Sequence, residues 1–198
     1  VSKDNYRAIL SKKDLDSLVK ELKNAKVLAF DTETDSLDFT QANLVGLSVA
    51  TDEDNAYYIP VGHDYEGAPK QLDRDEVLKK LKPIIEKTPL IGQHLKFDRN
   101  VLANYDIHLN TIENDTMLMS YIYDPTATRH NLDAMASHYL NVKTTTFEDV
   151  AGKGVKQLTF NQIPLEKASD YAAEDADITF RCYSHLKPAL AKTPSLEK

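Results

Sequence analysis

A chain of 198 residues, 41% apolar and 28% charged, fits one globular domain able to bury a substantial core. With no N-terminal apolar segment and no apolar run approaching ~20 residues, neither export nor membrane insertion is encoded, and the cytoplasm is the expected address. A lone cysteine, Cys182, excludes an internal disulfide, and a net charge of −7 disfavours nucleic-acid binding through basic surface alone.

Ser11 to Asp14 has the form of a capping box, and Leu15, Leu18, Val19 and Leu22 follow at helical spacing, so an amphipathic helix is predicted to end near Asn24. Residues 27–30 are a short apolar run suited to a covered strand, and the run ends in Asp31-Thr32-Glu33. Residues 43–50 and 56–61 read as two more strands, separated by a polar turn, which predicts an antiparallel meander. Asp73 with Glu76 starts a helix whose buried face is Val77, Leu78, Leu81, Ile84 and Ile85, with Pro83 as its bend or weak point. Residues 90–92 form a short buried strand, followed by a helix over 93–105. A second short strand around Ile112 runs into a helix over 115–123, and another helix covers 131–140. Residues 141–162 read as irregular. Pro164 then opens a last long helix through Tyr171, Asp175, Ile178 and Leu186. Strands first, then strands alternating with helices, predict an α/β domain with a mixed sheet. The Val1 start and the end at Lys198 suggest a piece of a longer protein.

Three acidic clusters stand out. Asp31 and Glu33 are two apart on a strand, so they point the same way, and two like charges side by side are unfavourable unless a cation lies between them. Hard oxygen ligands of this kind select Mg²⁺ or Mn²⁺. Asp98 lies in the helix after the buried strand. Tyr171 and Asp175 are four apart on one helical face, with Glu174 also within one turn. Spacing alone does not choose between Glu174 and Asp175; taken alone, Asp31/Glu33 reads more simply as a solvated turn and Glu174/Asp175 as a solvated helix face. The acidic balance fits such a site, because two bound divalent cations would add four positive charges where phosphate docks.

DTETDSL at 31–37, GQHLKFD at 92–98 and YAAEDADIT at 171–179, in this order, resemble the three motifs of the DEDDy exonuclease family, most closely the 3′–5′ proofreading domains of bacterial DNA polymerase I. The likeness runs from Asp4-Asn5-Tyr6 through AGKG at Ala151 and LTFNQI at Leu158 to the end. It implies an RNase H-like exonuclease fold, a mixed sheet flanked by helices, and an acidic quartet of Asp31, Glu33, Asp98 and Asp175 with Tyr171 as the fifth catalytic residue. By analogy Asp31 bridges two divalent cations, Glu33 and Asp175 complete the first site, and Asp98 holds the second. Mg²⁺ is the foremost candidate, with Mn²⁺ or Zn²⁺ as alternatives.

The resemblance further implies that Leu37 and Phe147 wedge against the terminal bases. Thr34, Gln93, His94, Lys96 and Arg129 would contact the terminal nucleotides or their phosphates. His94 stands where the family commonly has Asn, and Phe97 where it commonly has Tyr, departures that touch only contacts to the 3′ nucleotide. The implied activity is release of nucleoside 5′-monophosphates from single-stranded or frayed DNA 3′ ends, in a monomeric module followed by a polymerase domain. Two alternatives remain: an RNA exonuclease of the RNase D type, and a silent exonuclease-like domain kept for binding, against which the complete quartet weighs. The histidines show no zinc-type spacing, and Gly152-Lys153-Gly154 reads as a flexible turn whose Lys153, with Lys156, is expected to touch backbone phosphates.

Overall fold

The computed structural model describes residues 2–109, 112 and 114–192. In chain order the elements are β1 (Tyr6–Ala8), α1 (Lys12–Lys23), β2 (Leu28–Thr34), β3 (Leu44–Ala50), β4 (Ala56–Pro60), α2 (Arg74–Lys87), β5 (Leu90–Gly92) and α3 (Leu95–Ala103), then β6 (Asn114–Asp115), α4 (Thr116–Tyr123), α5 (Leu132–Leu140), α6 (Phe147–Ala151) and α7 (Leu165–Ala191). The strands form one sheet in the order β1-β4-β3-β2-β5-β6. β2, β3 and β4 make the expected antiparallel meander, while β1 joins β4, and β5 joins β2, in parallel.

Each residue of β3 is buried, as the middle of a sheet covered on both faces requires. On one face α1 and α2 pack through Leu15, Leu18, Leu22, Leu81 and Ile85 against Leu28, Phe30, Leu47 and Ile59. On the other face lies α7, and the contact is made largely of alanines: Ala29, Ala50 and Ala56 from the sheet, Ala173 and Ala176 from the helix. Small side chains let the helix backbone come close to the strands, which brings the polar residues of α7 within reach of β2. Beyond α7, a third layer of Met119, Met135 and Ala136 packs with Ile178, Cys182 and Leu186. Cys182 is buried here, and burial pushes its thiol up to about 12, which keeps it inert. Among the described residues no helix is long and apolar enough to cross a membrane.

Several boundaries differ from expectation. β2 runs to Thr34, with a register shift at Glu33/Thr34, so Asp31 and Glu33 lie within a paired strand and share a face as their spacing predicts. The helix expected from Gln93 begins at Leu95. The strand expected around Ile112 is the two-residue β6, and residues 110, 111 and 113 lie outside the described set. The segment 141–162 is not simply irregular: Thr146 and Asp149 form a reciprocal capping box that starts α6, and two 3₁₀ turns follow at Gly154–Lys156 and Phe160–Gln162. α2 runs through Pro83 and α7 runs through Pro188, because packing of the flanking turns outweighs one missing N–H.

Candidate active site

Strand alternation puts Ala29, Asp31 and Glu33 on the face covered by α7, and α7 returns Asp175 to the same place. One carboxylate oxygen from each of Asp31, Glu33 and Asp175 lies within 4.8 Å of the others, a group that could hold a metal ion. All three are partly buried. Asp98 reaches them from the opposite side of β2: its Oδ1 accepts from the Thr32 backbone N–H at 3.0 Å and from the Thr32 hydroxyl. The structure thus gathers all four predicted acids around one strand.

The electrostatics follow from crowding. Burial first, and the Asp175 charge second, raise Asp31 to about 8. Glu33 is held well above the usual carboxylate range by burial and then by Asp31 and Asp175. Asp98 is raised by burial and then Asp31, and Asp175 by burial and then Asp133. Glu33 Oε1 is buried with no hydrogen-bond partner. A buried oxygen without a donor beside two further carboxylates is a donor set suited to a hard cation. Tyr171 is one turn from Asp175 on α7, and burial with the surrounding carboxylates pushes its phenol above its ordinary value, so it stays protonated and can donate.

The site opens into a cleft of about 640 Å³ bordered by Glu33, Thr34, Leu37, Phe97, Phe147 and Tyr171, among others. Leu37 is 95% exposed, so core packing does not explain it. Phe147 and Phe160 both pack against Tyr171 with centroids 6.1 Å apart. Thr34 Oγ1 donates to the Ser36 carbonyl at 2.8 Å. The other sequence-predicted contacts sit apart from the cleft wall. Gln93 Nε2 donates to the His130 carbonyl at 2.8 Å and Gln93 Oε1 accepts from Thr116 Oγ1 at 2.6 Å, while His94, Lys96 and Arg129 are exposed.

Two supporting residues were not foreseen. The turn into α3 puts His94 at φ 61° without a side-chain cap, and the cap comes instead from Asp115, whose carboxylate accepts from the backbone of His94 at 3.0 Å and Leu95 at 2.8 Å. Asp115 therefore fixes the helix that carries Asp98. Gly46 lies opposite Glu33 in β3, and a Cβ there would sit 2.2 Å from the Tyr58 hydroxyl, so the glycine makes room for a phenol whose oxygen is 2.7 Å from His63 Nε2. The signal for Asp115 was present, since an Asp before a helix is a cap, but its capture of a second helix is a tertiary event.

Comparison with known proteins agrees with this geometry. A family model described as 3′-5′ exonuclease matches residues 6–191. The chain is 50% identical over 198 residues to DNA polymerase I of Pseudomonas aeruginosa, a match that covers 98% of this chain and 22% of that protein. It therefore spans about a fifth of that relative's length. Among solved structures, RNase D of Trypanosoma brucei superposes with a TM-score of 0.72 at 11% identity, covering 99% of this chain and 73% of that one. NrnC of Brucella melitensis with bound Mg²⁺ superposes with a TM-score of 0.64 at 19% identity, covering 98% of this chain and 86% of that one. These likenesses show the fold, which is that of the RNase H-like exonucleases.

Proposed function

Because the chain belongs to the 3′–5′ exonuclease family, we propose that its cleft hydrolyses the terminal phosphodiester of single-stranded or frayed DNA 3′ ends and releases nucleoside 5′-monophosphates. The observation that carries this reading is the set of carboxylates from β2 and α7 within 4.8 Å of one another beside an aromatic-walled cleft. The identity to a DNA polymerase I supports DNA as the substrate and a proofreading role beside a C-terminal polymerase domain, in a cytoplasmic protein.

Asp31, Glu33, Asp98 and Asp175 would hold two divalent cations, with Mg²⁺ foremost, the ion bound by the structurally similar NrnC. Bound there, such cations acidify a water and stabilise the departing 3′ oxygen of an in-line displacement at phosphorus. The chain's own groups do the positioning. Tyr171, kept protonated by its surroundings, offers a hydrogen bond that orients the attacking water rather than removing its proton. Leu37 and Phe147 border the cleft as apolar surfaces on which terminal bases stack, and Thr34 adds a polar contact at the same rim. Gln93 acts through the loop that carries Arg129, while His94, Lys96 and Arg129 offer exposed groups to phosphate. Lys153 and Lys156 are exposed as well and offer further cations to the backbone phosphates.

The test is hydrolysis of a 5′-labelled duplex with a frayed 3′ end in Mg²⁺, with EDTA as control and a matched RNA strand beside it. Stepwise 3′ shortening of the DNA that stops in EDTA is the expected result. Faster digestion of the RNA overturns the DNA assignment, and no Mg²⁺-dependent cleavage of either strand overturns the nuclease reading.

A further inference from the structure

Glu174 is left without a role by this reading, although it stands beside Asp175 in the third acidic segment. Its side chain is buried, and its Oε1 accepts the Thr145 backbone N–H at 2.7 Å. Thr145 immediately precedes Thr146, the N-cap of α6, so the bond fixes where the chain enters a helix whose first residue is Phe147. The Phe147 ring packs edge-on against Tyr171, three residues before Glu174 on α7. A helix of five residues does not hold its place by its own cooperativity, so the position of α6 depends on such anchors. Two others flank it: Thr144 Oγ1 donates to Asp133 Oδ1 at 2.5 Å, and Lys3 Nζ donates to Thr145 Oγ1 at 3.2 Å. The Glu174 bond comes directly from α7, the helix that carries Tyr171 and Asp175.

We propose that Glu174 is a positioning residue for the exonuclease reaction: by anchoring the Thr145 backbone to α7, it sets the Phe147 ring against Tyr171 at the end of the cleft. Successive helical residues point about 100° apart. One turn of α7 therefore supplies Asp175 to the acidic group and, through Glu174, ties down the aromatic wall beside it. The inference rests on the exonuclease reading above.

The test compares Glu174→Gln, which keeps the acceptor and loses the charge, with Glu174→Asp, which keeps the charge and withdraws the acceptor. Each is made in the wild-type and Phe147→Ala backgrounds, and kcat and KM are measured on 5′-labelled single-stranded DNA in Mg²⁺. Glu174→Gln is expected to keep kcat/KM within about threefold, and Glu174→Asp to lower it by roughly 10- to 100-fold, as displacement of a wall residue does. In the Phe147→Ala background the Asp substitution adds less than about threefold, because the residue it acts through is gone. The Mg²⁺-induced rise in Tm is the same in all of them. Equal losses in Gln and Asp, wild-type kinetics in Asp, full additivity with Phe147→Ala, or loss of the Mg²⁺-induced rise each overturns the inference alone. A wild-type chain that does not cleave overturns both readings.

Discussion

Replacing Asp175 by asparagine removes one of three carboxylates that lie within 4.8 Å of each other. Two unit charges at that separation repel by about 3.5 kcal/mol at an effective dielectric of 20 and by about 0.9 kcal/mol at that of water. Partial protonation of the group and its partial exposure discount the higher figure, so the substitution stabilises the metal-free fold by about 2 kcal/mol at alkaline pH. For a chain of this size that corresponds to a Tm about 4–8 °C above wild type. The pH dependence has a definite sign. Asp31 is raised to about 8 and its neighbours are raised as well, so the native state holds protons more tightly than the unfolded chain. Wild-type stability is therefore greatest below the ordinary carboxylate range near 4 and declines as pH rises towards about 8, and the gap between variant and wild type opens over that window. Saturating Mg²⁺ closes or reverses it, because a ligand at 100 times its Kd adds about 2.7 kcal/mol to a fold that binds it. The assay is a set of thermal melts at pH 5 and pH 8.5 in EDTA and in Mg²⁺. An asparagine variant that melts below wild type in EDTA at pH 8.5, or a difference that does not change with pH, would refute the crowded-carboxylate account.

Asp31→Ala and Asp98→Ala are each expected to reduce cleavage to near background while leaving circular dichroism unchanged; retention of wild-type single-turnover rates by the Asp31 variant contradicts the metal assignment. Tyr171→Phe keeps DNA affinity but slows the chemical step by about 10- to 100-fold, the scale of losing one positioned hydrogen bond to the reacting water, and quench-flow together with fluorescence anisotropy separates the two effects. Asp115→Ala removes the acceptor of the His94 and Leu95 backbone N–H groups and costs about 1–3 kcal/mol in urea unfolding, with a larger loss of activity than an exposed substitution such as Glu66→Ala. Gly46→Ala drives a methyl into the Tyr58 ring as well as its hydroxyl, so thermal stability falls and pairing it with Tyr58→Phe does not restore it; an unchanged Tm in the single variant contradicts the close packing.

The elements most legible in the sequence were those in which local pattern and tertiary role coincide. Ser11 and Asp73 cap the helices their spacing predicts, and the meander follows from three apolar runs with one polar turn. β1 was invisible because three residues carry no period; its place depends on pairing with β4 and on the bond from the Tyr6 hydroxyl to the distant Asp177, at 2.5 Å. β2 was legible as far as Glu33, since an apolar run leads straight into two alternating carboxylates, but the register shift at Glu33/Thr34 depends on the neighbouring strand. Of the site, motif order named the acids, but only the fold shows that Asp98 is tied to Thr32, or that Gln93 spends its amide on the His130 carbonyl. The choice between Glu174 and Asp175, open to spacing, has a structural counterpart: one lies in the acidic group and the other grips Thr145.

The alanine seam between α7 and the sheet acts as a spacer of fixed thickness. Because Asp175 rides on α7 and Asp31 on β2, the width of that seam sets the span between opposing oxygens, and an added methyl at Ala173 or Ala176 would prise the jaws of the acidic clamp apart from beneath. Residues outside the acidic group thereby govern the spacing of the oxygens within it.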